Sequence, residues 1–428
     1  MQAKWLREKQ REYGDWLCKD LLAYWDRMLD REYGGVYTCI SNAGDKLLST
    51  DKYVWSQGRM LWVLSHLCGM GAQGLAPVQA EHYLPWAEKT ADFLLEHAVL
   101  PPGEGVCAFL LTREGAKKEQ SPGSGFYTSY FVDCFVAMGL AEFGRVFGRP
   151  QYVRQAGALF ERTLALLDAG VVRSQPYLVR PGCDAHSRPM ILCNTANVLA
   201  RAMQSVDAQA CAGLQRLALE CAGQVMDLFY DPASSLIAEV RNTDGAPAAE
   251  DDLLLRHAAP GHAIECMWIL DDTPGLPAAL SERAAQVALA SLKAGWDSAY
   301  GGLLRYCDIA GGAPRGDAGQ DAFAQLISST WGTKLWWVHS EALYTTLRLY
   351  AQTGDPAFLE WHRRVHEYAF SHFPNPDKEV GEWTQVLDRE GQPLEQTVAL
   401  PVKDPYHLMR NAMQLVELLA DEAVWRQS

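Results

Sequence analysis

Two histidines stand where the sequence predicts the start of a helix, a position that suits acid–base chemistry. His262 lies in the run PGHAIECMW (260–268), whose Pro-Gly start and apolar spacing predict a helix. Glu265 follows three residues later, so both side chains project from one face of the first turn. The pair is a candidate acid–base station. A structural His–Glu pair at a helix start is the alternative.

His407 has a similar setting in the run VKDPYHLMR (402–410). Asp404 is a natural N-cap and Pro405 suits the first helical position, so His407 falls in the first turn. A helix N-terminus disfavours imidazolium and keeps a histidine able to act as a base at pH 7. Two such histidines facing one cavity could move a proton between the two faces of a planar intermediate. No histidine pair has the H-E-x-x-H spacing of a metal site, and no metal is expected.

An internal echo links two further candidates, Arg59 and Glu341. Residues 52–62 and 334–344 share the pattern K-x-x-W-x-x-x-(R/E)-x-L-(W/Y) at the start of a predicted helix. The echo places Arg59 and Glu341 at equivalent positions near two helix starts. Arg59 could bind substrate oxygens with its guanidinium fork, and Glu341 could accept sugar hydroxyls. Ordinary surface or intrahelical pairing is the alternative for each.

The elements that would position these residues are almost all helical. Apolar residues recur every three to four positions in about twelve segments: 16–29, 55–70, 83–95, 129–147, 152–167, 190–203, 214–228, 260–270, 278–292, 334–350, 357–372 and 405–419. Long loops hold short β-like runs at 35–39 and 303–306. A second echo, REYGGVY (31–37) against DSAYGGL (297–303), offers a glycine pair for positive φ in each copy. Repeated loop-then-helix units favour an (α/α)6 barrel, all-α and formed as one domain over residues 1–428.

Composition narrows the functional classes. The net charge of −14 argues against nucleic acid or an anionic membrane surface as the main partner. Eleven cysteines without regular spacing indicate reduced thiols and a cytoplasmic protein. No signal peptide or membrane span is expected. The sequence lacks a P-loop, a dinucleotide fingerprint and a hydrolase elbow, whereas a glycosidase-like carboxylate pair remains open.

The chain resembles the N-acylglucosamine 2-epimerase family, which also contains cellobiose 2-epimerases and aldose–ketose isomerases. The segments that carry the resemblance keep the family's order: 33–35, 52–67, 189–192, 260–268, 296–297, 300–302, 334–343, 381–383 and 405–407. Each motif is weak singly, but the ordered set spans almost the whole chain. The resemblance implies an (α/α)6 barrel, in agreement with the helix count.

The resemblance also implies roles for individual residues. His262 and His407 match the family's paired acid–base histidines, Glu265 the carboxylate that accompanies the first, and Arg59 the arginine near the sugar C1–C2 region. Glu341 matches the carboxylate of the K-x-W-W-x-x-x-E segment. The implied chemistry opens the sugar ring and removes the C2 proton, and protonation at the opposite face of C2 gives the epimer. No redox cofactor or metal is needed.

Specificity rests on departures from the family pattern. The run Asn194-Thr195-Ala196-Asn197-Val198 lacks the histidine that cellobiose epimerases and mannose-type isomerases carry nearby, and this favours N-acetylglucosamine and N-acetylmannosamine as substrates. Asn194 and Trp55 complete the expected substrate-binding set with Arg59, Glu265 and Glu341. Val402 replaces a tryptophan that many members place five residues before His407. Isomerisation or epimerisation of unsubstituted sugars, a non-catalytic sugar- or protein-binding role, ATP as an activator and a homodimer stay open.

Overall fold

The computed structural model describes residues 2–395 and 403–421, and six inner helices alternate there with six outer ones. In chain order the helices are α1 (Gln2–Asp15), α2 (Leu22–Arg27), α3 (Val54–Ala72), α4 (Ala80–Phe93), α5 (Tyr130–Val146), α6 (Pro150–Asp168), α7 (Ser187–Met203), α8 (Ala208–Gln224), α9 (Leu253–Arg256), α10 (Pro260–Asp271), α11 (Ala278–Gly295), α12 (Ala322–Thr330), α13 (Trp336–Thr353), α14 (Pro356–His372) and α15 (Tyr406–Ala420). A π-helical turn, Trp16–Leu21, joins α1 and α2 into one outer helix.

The inner helices close into a ring. Helix α3 packs against α5, and the contacts continue through α7, α10, α13 and α15 back to α3. An inner helix is buried on most of its surface, as α5 is, whereas an outer helix such as α6 buries one stripe: Val153, Ala156, Phe160 and Thr163. This closed double ring confirms the predicted (α/α)6 barrel.

Helices α3 and α5 approach most closely at two glycines. A Cβ atom on Gly139 would lie 2.4 Å from the Gly58 carbonyl oxygen, and one on Gly58 would lie 2.6 Å from the Phe135 carbonyl carbon and oxygen. The absence of side chains lets the two backbones touch, and this brings Arg59, the next residue, over the Phe135 ring.

Short antiparallel strands brace the loops. They are β1 (Lys52–Tyr53), β2 (Leu110–Leu111), β3 (Lys117–Lys118), β4 (Cys183–Ala185), β5 (Tyr230–Asp231), β6 (Leu236–Ile237), β7 (Val240–Asn242), β8 (His257–Ala258), β9 (Cys307–Asp308), β10 (Lys334–Leu335) and β11 (Val386–Leu387). The pairings are β1-β2-β3, β4-β7, β5-β6, β8-β9 and β10-β11. The runs predicted at 35–39 and 303–306 form only isolated bridges, Leu29 to Val36 and Trp296 to Leu303 among them.

The glycine echo is a structural repeat. All four glycines adopt positive φ: Gly34 at 89°, Gly35 at 81°, Gly301 at 72° and Gly302 at 74°. In each copy the backbone amide of an aspartate donates to the carbonyl oxygen of the second glycine at 2.9 Å. The pairs are Asp30 with Gly35 and Asp297 with Gly302. The predicted tight turn is therefore confirmed in both copies.

The lysines of the second echo hold those same aspartates. Lys52 Nζ lies 2.9 Å from Asp30 Oδ2, and Lys334 Nζ lies 3.6 Å from Asp297 Oδ2. Both lysine side chains are fully buried. A buried ammonium needs a paired carboxylate, so each lysine ties the glycine turn to the start of an inner helix.

Several helix boundaries differ from their predictions, most of all at the first helix and at α8, which begins at Ala208 and not at residue 214. The first helix begins at Gln2, not at residue 16, because Leu6, Tyr13 and Trp16 bury a sparse apolar stripe beneath a charged surface. No helix in the described residues is long and apolar enough to cross a bilayer.

Candidate active site

A cavity of about 200 Å³ opens among the first turns of the inner helices. Six of the seven predicted site residues line it: Trp55, Arg59, Asn194, His262, Glu265 and His407. The six come from α3, α7, α10 and α15, so distant parts of the chain meet at one point. The seventh, Glu341, is fully buried behind the cavity wall.

The hydrogen-bond partner of His262 is a residue that the sequence patterns did not single out. Its Nδ1 atom lies 2.8 Å from Glu239 Oε1. Glu239 is 3% exposed and comes just before β7, 23 residues before His262. Glu265, the partner expected from the i,i+3 spacing, instead accepts a hydrogen bond from Arg410 Nη2 at 2.9 Å. His262 therefore pairs across the loops and not along its own helix.

The charge on Glu239 determines the direction in which the pKa of His262 shifts. Burial alone would lower the pKa of His262, but the charge and hydrogen bond of Glu239 raise it above its usual value. Burial would likewise raise the pKa of Glu239, but the charge of His262, the hydrogen bond from His262 and the close approach of His186 hold that pKa well below its usual range. The helix N-terminus was expected to keep His262 neutral. A buried full charge at 2.8 Å outweighs that partial charge.

His407 has its own carboxylate. Its Nδ1 atom lies 2.7 Å from Glu341 Oε1. Helix α15 begins at Tyr406, one residue later than predicted, and the Tyr406 amide donates to Asp404 Oδ1 at 2.7 Å. Pro405 and not Asp404 is therefore the N-cap residue, although Asp404 still accepts from the first helical amide and His407 keeps its predicted place in the first turn.

Glu341 is surrounded by protein donors. Asn411 Nδ2 lies 2.8 Å from its Oε1 atom, Arg410 Nη2 also bonds Oε1, and Trp268 Nε1 lies 2.9 Å from Oε2. Burial would raise the pKa of Glu341, but Arg410 and His407 hold it below its usual value. With these donors on both oxygens and no accessible surface, Glu341 holds His407 and does not lie where it could accept sugar hydroxyls.

Trp337 contacts both histidines. Its indole centroid lies 5.1 Å from the His262 ring and 5.5 Å from the His407 ring. Trp337 also lines the cavity. Each imidazole thus has a carboxylate on Nδ1 and shares one aromatic neighbour with the other, so the two can act on a single small molecule.

Arg59 lies on another part of the wall. Its guanidinium forms an ion pair with Asp404 and stands 3.9 Å from the Phe135 ring centroid and 5.2 Å from that of Trp55. Asn194 is 6% exposed and lines the same cavity. The ion pair and the aromatic rings fix Arg59, whereas the Asn194 amide offers the cavity both a donor and an acceptor.

Glu265, Glu341 and His407 present ligand atoms within 4.8 Å of one another, close enough to hold a metal ion. Arg410 already supplies positive charge there, since its Nη2 atom bonds both carboxylates. A cation at the same point would meet the guanidinium, so the donor set fits a buried ion-pair network better than a metal.

Sequence patterns missed Glu239, Arg410 and the contact of Trp337 with both histidines. Glu239 lies in a loop without periodicity, and its contact with His262 depends on the β4–β7 pairing. Arg410 falls on the helix face of His407, three residues on, which is the signal that could have found it. Val402, a predicted specificity position, lies outside the described residues.

Comparisons with known proteins identify the family of this chain. The sequence model of N-acylglucosamine 2-epimerase (GlcNAc 2-epimerase) matches residues 35–411. The N-acylglucosamine 2-epimerase of Bos taurus is 30% identical over 96% of this chain and 92% of its own, and that of Homo sapiens is 28% identical over 93% and 87%. The solved cellobiose 2-epimerase of Bacillus thermoamylovorans shares the fold with a TM-score of 0.76 at 19% identity, over 96% of this chain and 99% of its own. The chain belongs to the N-acylglucosamine 2-epimerase family.

Proposed function

We propose that the protein is an isomerase that interconverts N-acetylglucosamine and N-acetylmannosamine by inverting C2. The observation that carries this proposal is the pair His262 and His407, each bonded through Nδ1 to a carboxylate and both beside Trp337 in one cavity. Membership of the family and the likeness to the bovine and human enzymes support the choice of substrate.

The hydrogen bonds at Nδ1 favour Nε2 as the reacting nitrogen of each histidine. A carboxylate at Nδ1 holds a proton on that atom, so Nε2 of each ring is the atom that gains or loses a proton. Inversion at C2 needs one base to remove the proton next to the C1 aldehyde of the open-chain sugar. It also needs one acid to return a proton from the other face. Two imidazoles on opposite sides of the substrate supply both, and their roles exchange when the reaction runs backwards.

The intermediate carries negative charge that spreads onto the C1 oxygen. Arg59, held by Asp404 and the Phe135 ring, is the cationic side chain that we assign to that oxygen. A fixed cation in a protected cavity stabilises such charge without reorganisation during the reaction. Arg410 and Glu265 also line the cavity and complete the polar surface around His407.

The wall near Asn194 suits an N-acyl group. Met190 and Ile191 precede Asn194 by about one turn of α7, and Phe131 of α5 lines the same cavity. The acetamido group would place its methyl on the apolar side chains, with its amide at Asn194. Trp55 offers an aromatic face for the apolar side of the sugar.

The test is proton NMR in D2O with N-acetylmannosamine, mannose, glucose and cellobiose supplied separately. The proposal predicts loss of the C2 proton signal and appearance of the C2 epimer for the N-acetylated sugar, with little turnover of the others. Ketose formation, or preference for cellobiose or mannose, would overturn it. Binding of N-acetylmannosamine without C2 exchange would assign a non-catalytic role instead.

Three further properties accompany the proposal. The reaction needs no redox cofactor in this scheme, and assays with and without ATP decide whether ATP activates it. The eleven cysteines are free thiols, which suits the cytoplasm that we propose as its location. We also propose a homodimer, and native mass measurement would return about twice 47.5 kDa.

A further inference from the structure

A third histidine lies behind the His262–Glu239 pair. His186 is fully buried, immediately after β4 and before the first residue of α7. Within the described residues neither of its ring nitrogens has a hydrogen-bond partner. Its Nδ1 atom nevertheless lies 3.5 Å from Glu239 Oε2. A buried imidazole without partners is costly, so this near contact calls for a physical account.

The backbone fixes His186 and Glu239 against each other. The His186 amide donates to the Glu239 carbonyl at 2.9 Å, and the adjoining residues Ala185 and Val240 pair across β4 and β7. The Glu239 amide in turn donates to the His257 carbonyl at 3.3 Å. Because both main chains are held, a small rotation of either side chain suffices to bring Nδ1 and Oε2 into a normal hydrogen bond.

The two oxygens of Glu239 face different imidazoles. Oε1 lies 2.8 Å from His262 Nδ1, and Oε2 faces His186 Nδ1. A buried carboxylate oxygen without a donor carries the full cost of its lost hydration. A donor on Oε2 removes that cost and prevents the carboxylate from turning away from His262.

We propose that His186 is a positioning residue, which acts by holding the Glu239 carboxylate in the orientation that orients His262. His186 does not line the cavity, so its effect on the sugar passes through Glu239. The proposal deepens the proposed function, on which its kinetic part rests. Its structural part, the chain of contacts from His186 through Glu239 to His262, does not depend on turnover.

Other ionisable groups surround the pair. His257, Tyr306 and Cys266 lie near enough to Glu239 to interact with its charge. Glu265 and Arg305 act in the same way on His262. These neighbours are the same in the wild type and in every His186 variant. A change in the titration midpoint of His262 on substitution of His186 therefore reports the contact between His186 and Glu239.

The chain offers a matched control in His257. It is also fully buried, but its Nδ1 atom faces the Leu254 carbonyl at 2.6 Å and its ring packs against Tyr306 and Phe323. Burial also lowers the pKa of His257, so its ring is neutral. His257→Phe therefore removes a buried imidazole nearby without changing the charge or the hydrogen bonds around the Glu239 side chain.

The experiment compares His186→Phe, His186→Asn and His257→Phe with the wild type. The readouts are the ¹⁵N NMR titration of His262 and the kcat and KM for N-acetylmannosamine. We expect His186→Phe to lower the titration midpoint of His262 and to reduce kcat about tenfold with KM little changed. In His186→Asn the side-chain amide can donate to Glu239, so most of the His262 titration midpoint and of kcat should be retained. His257→Phe should change neither the midpoint nor kcat.

Wild-type values of both readouts in His186→Phe would overturn the proposal, as would equal losses in His186→Phe and His257→Phe. A wild type without epimerase activity would defeat the proposed function, while the His262 titration would still test the contact. Should His186→Phe fail to fold, Glu239→Gln decides the matter through the His186 ring signals. A changed Nδ1 shift supports the contact, and an unchanged one overturns it.

Discussion

The Nδ1 atom of His407 lies 2.7 Å from Oε1 of Glu341, a residue 66 positions earlier on another inner helix. The same oxygen accepts from Arg410 and Asn411. Since an ionised carboxylate can only accept, the imidazole must carry its proton on Nδ1 and present Nε2 without one when neutral. Glu341 thereby selects the tautomer of His407 that can act as a base, although it never reaches the cavity.

Glu341→Gln should disrupt the contact that fixes the tautomer of His407. The amide can donate as well as accept, so the tautomer of His407 is no longer fixed, and Arg410 keeps only Glu265 as a carboxylate partner. We expect kcat to fall by about ten-thousandfold, as when an amide replaces the carboxylate that fixes the tautomer of a catalytic histidine in another enzyme. The free energy of unfolding should fall by about 3 kcal/mol, as for other broken buried pairs. Steady-state kinetics and urea denaturation measure the two effects.

The control for that variant is Asp15→Asn, which breaks the exposed Lys19–Asp15 ion pair. An exposed pair contributes little because water screens it, so stability and kcat should match the wild type. If Glu341→Gln behaved like Asp15→Asn, Glu341 would have no role in holding His407.

Glu239→Gln should shift the pH dependence of turnover. Glu239 raises the pKa of His262, so replacing the carboxylate by a neutral amide lowers that pKa. Whether His262 acts as base or as acid, the limb of the kcat/KM profile that reports its titration should move to lower pH. Profiles measured in both reaction directions check this. A limb that stays in place, or moves to higher pH, would contradict the pairing of His262 with Glu239.

His66 should make stability depend on pH at the other end of the barrel. Its Nδ1 atom lies 2.7 Å from Glu142 Oε1 and its Nε2 atom 3.0 Å from Glu417 Oε1. Burial disfavours the charged ring, but the two carboxylates raise the pKa of His66 to about 9. A raised folded-state pKa means stabilisation that is complete below the unfolded value near 6.5 and is lost as pH rises through about 9.

Denaturant unfolding of the wild type and His66→Gln at pH 6 and pH 10 measures that contribution. The difference in unfolding free energy between the two proteins should shrink by about 2 kcal/mol from the lower to the higher pH. The comparison with His66→Gln cancels the titration of other groups. A constant difference would show that His66 is uncharged in the folded protein.

Asn194→Ala should weaken binding of the N-acetylated sugar. We expect KM to rise about tenfold with a smaller change in kcat, because the lost hydrogen bond serves the ground state and the transition state alike. The same variant should bind mannose, which lacks the acetamido group, as the wild type does. Isothermal titration and initial rates check both points. An equal loss for both sugars would remove Asn194 from recognition of the N-acyl group.

Periodicity was enough to locate the barrel helices, and the first-turn placement of His262 and His407 followed from local signals such as Pro260 and Asp404. The glycine and lysine echoes also persist in the structure, and the residue after each glycine pair has an equivalent hydrogen-bond partner. The Val36 amide donates to Gln57, as the Leu303 amide does to His339. Local patterns suffice where the contact lies within a helix start or a tight turn.

The carboxylate partners of the histidines could not be found in the same way. Glu239 reaches His262 because β4 pairs with β7, and Glu341 is withdrawn from the cavity because Arg410 and Asn411 meet it from α15. Such contacts depend on how loops and helices pack, which residue spacing does not encode. For this reason the i,i+3 neighbour Glu265 looked like the partner of His262 and proved to be that of Arg410.

In the proposed mechanism the two histidines act on opposite faces of C2. Its most direct test is proton NMR in D2O of His262→Ala and His407→Ala with each N-acetylhexosamine in turn. We predict that neither variant interconverts the epimers, while any remaining deuterium exchange at C2 affects one epimer in one variant and the other epimer in the second. Near-normal epimerisation by either variant, or an epimer that forms without deuterium at C2, would rule out proton transfer by two histidines.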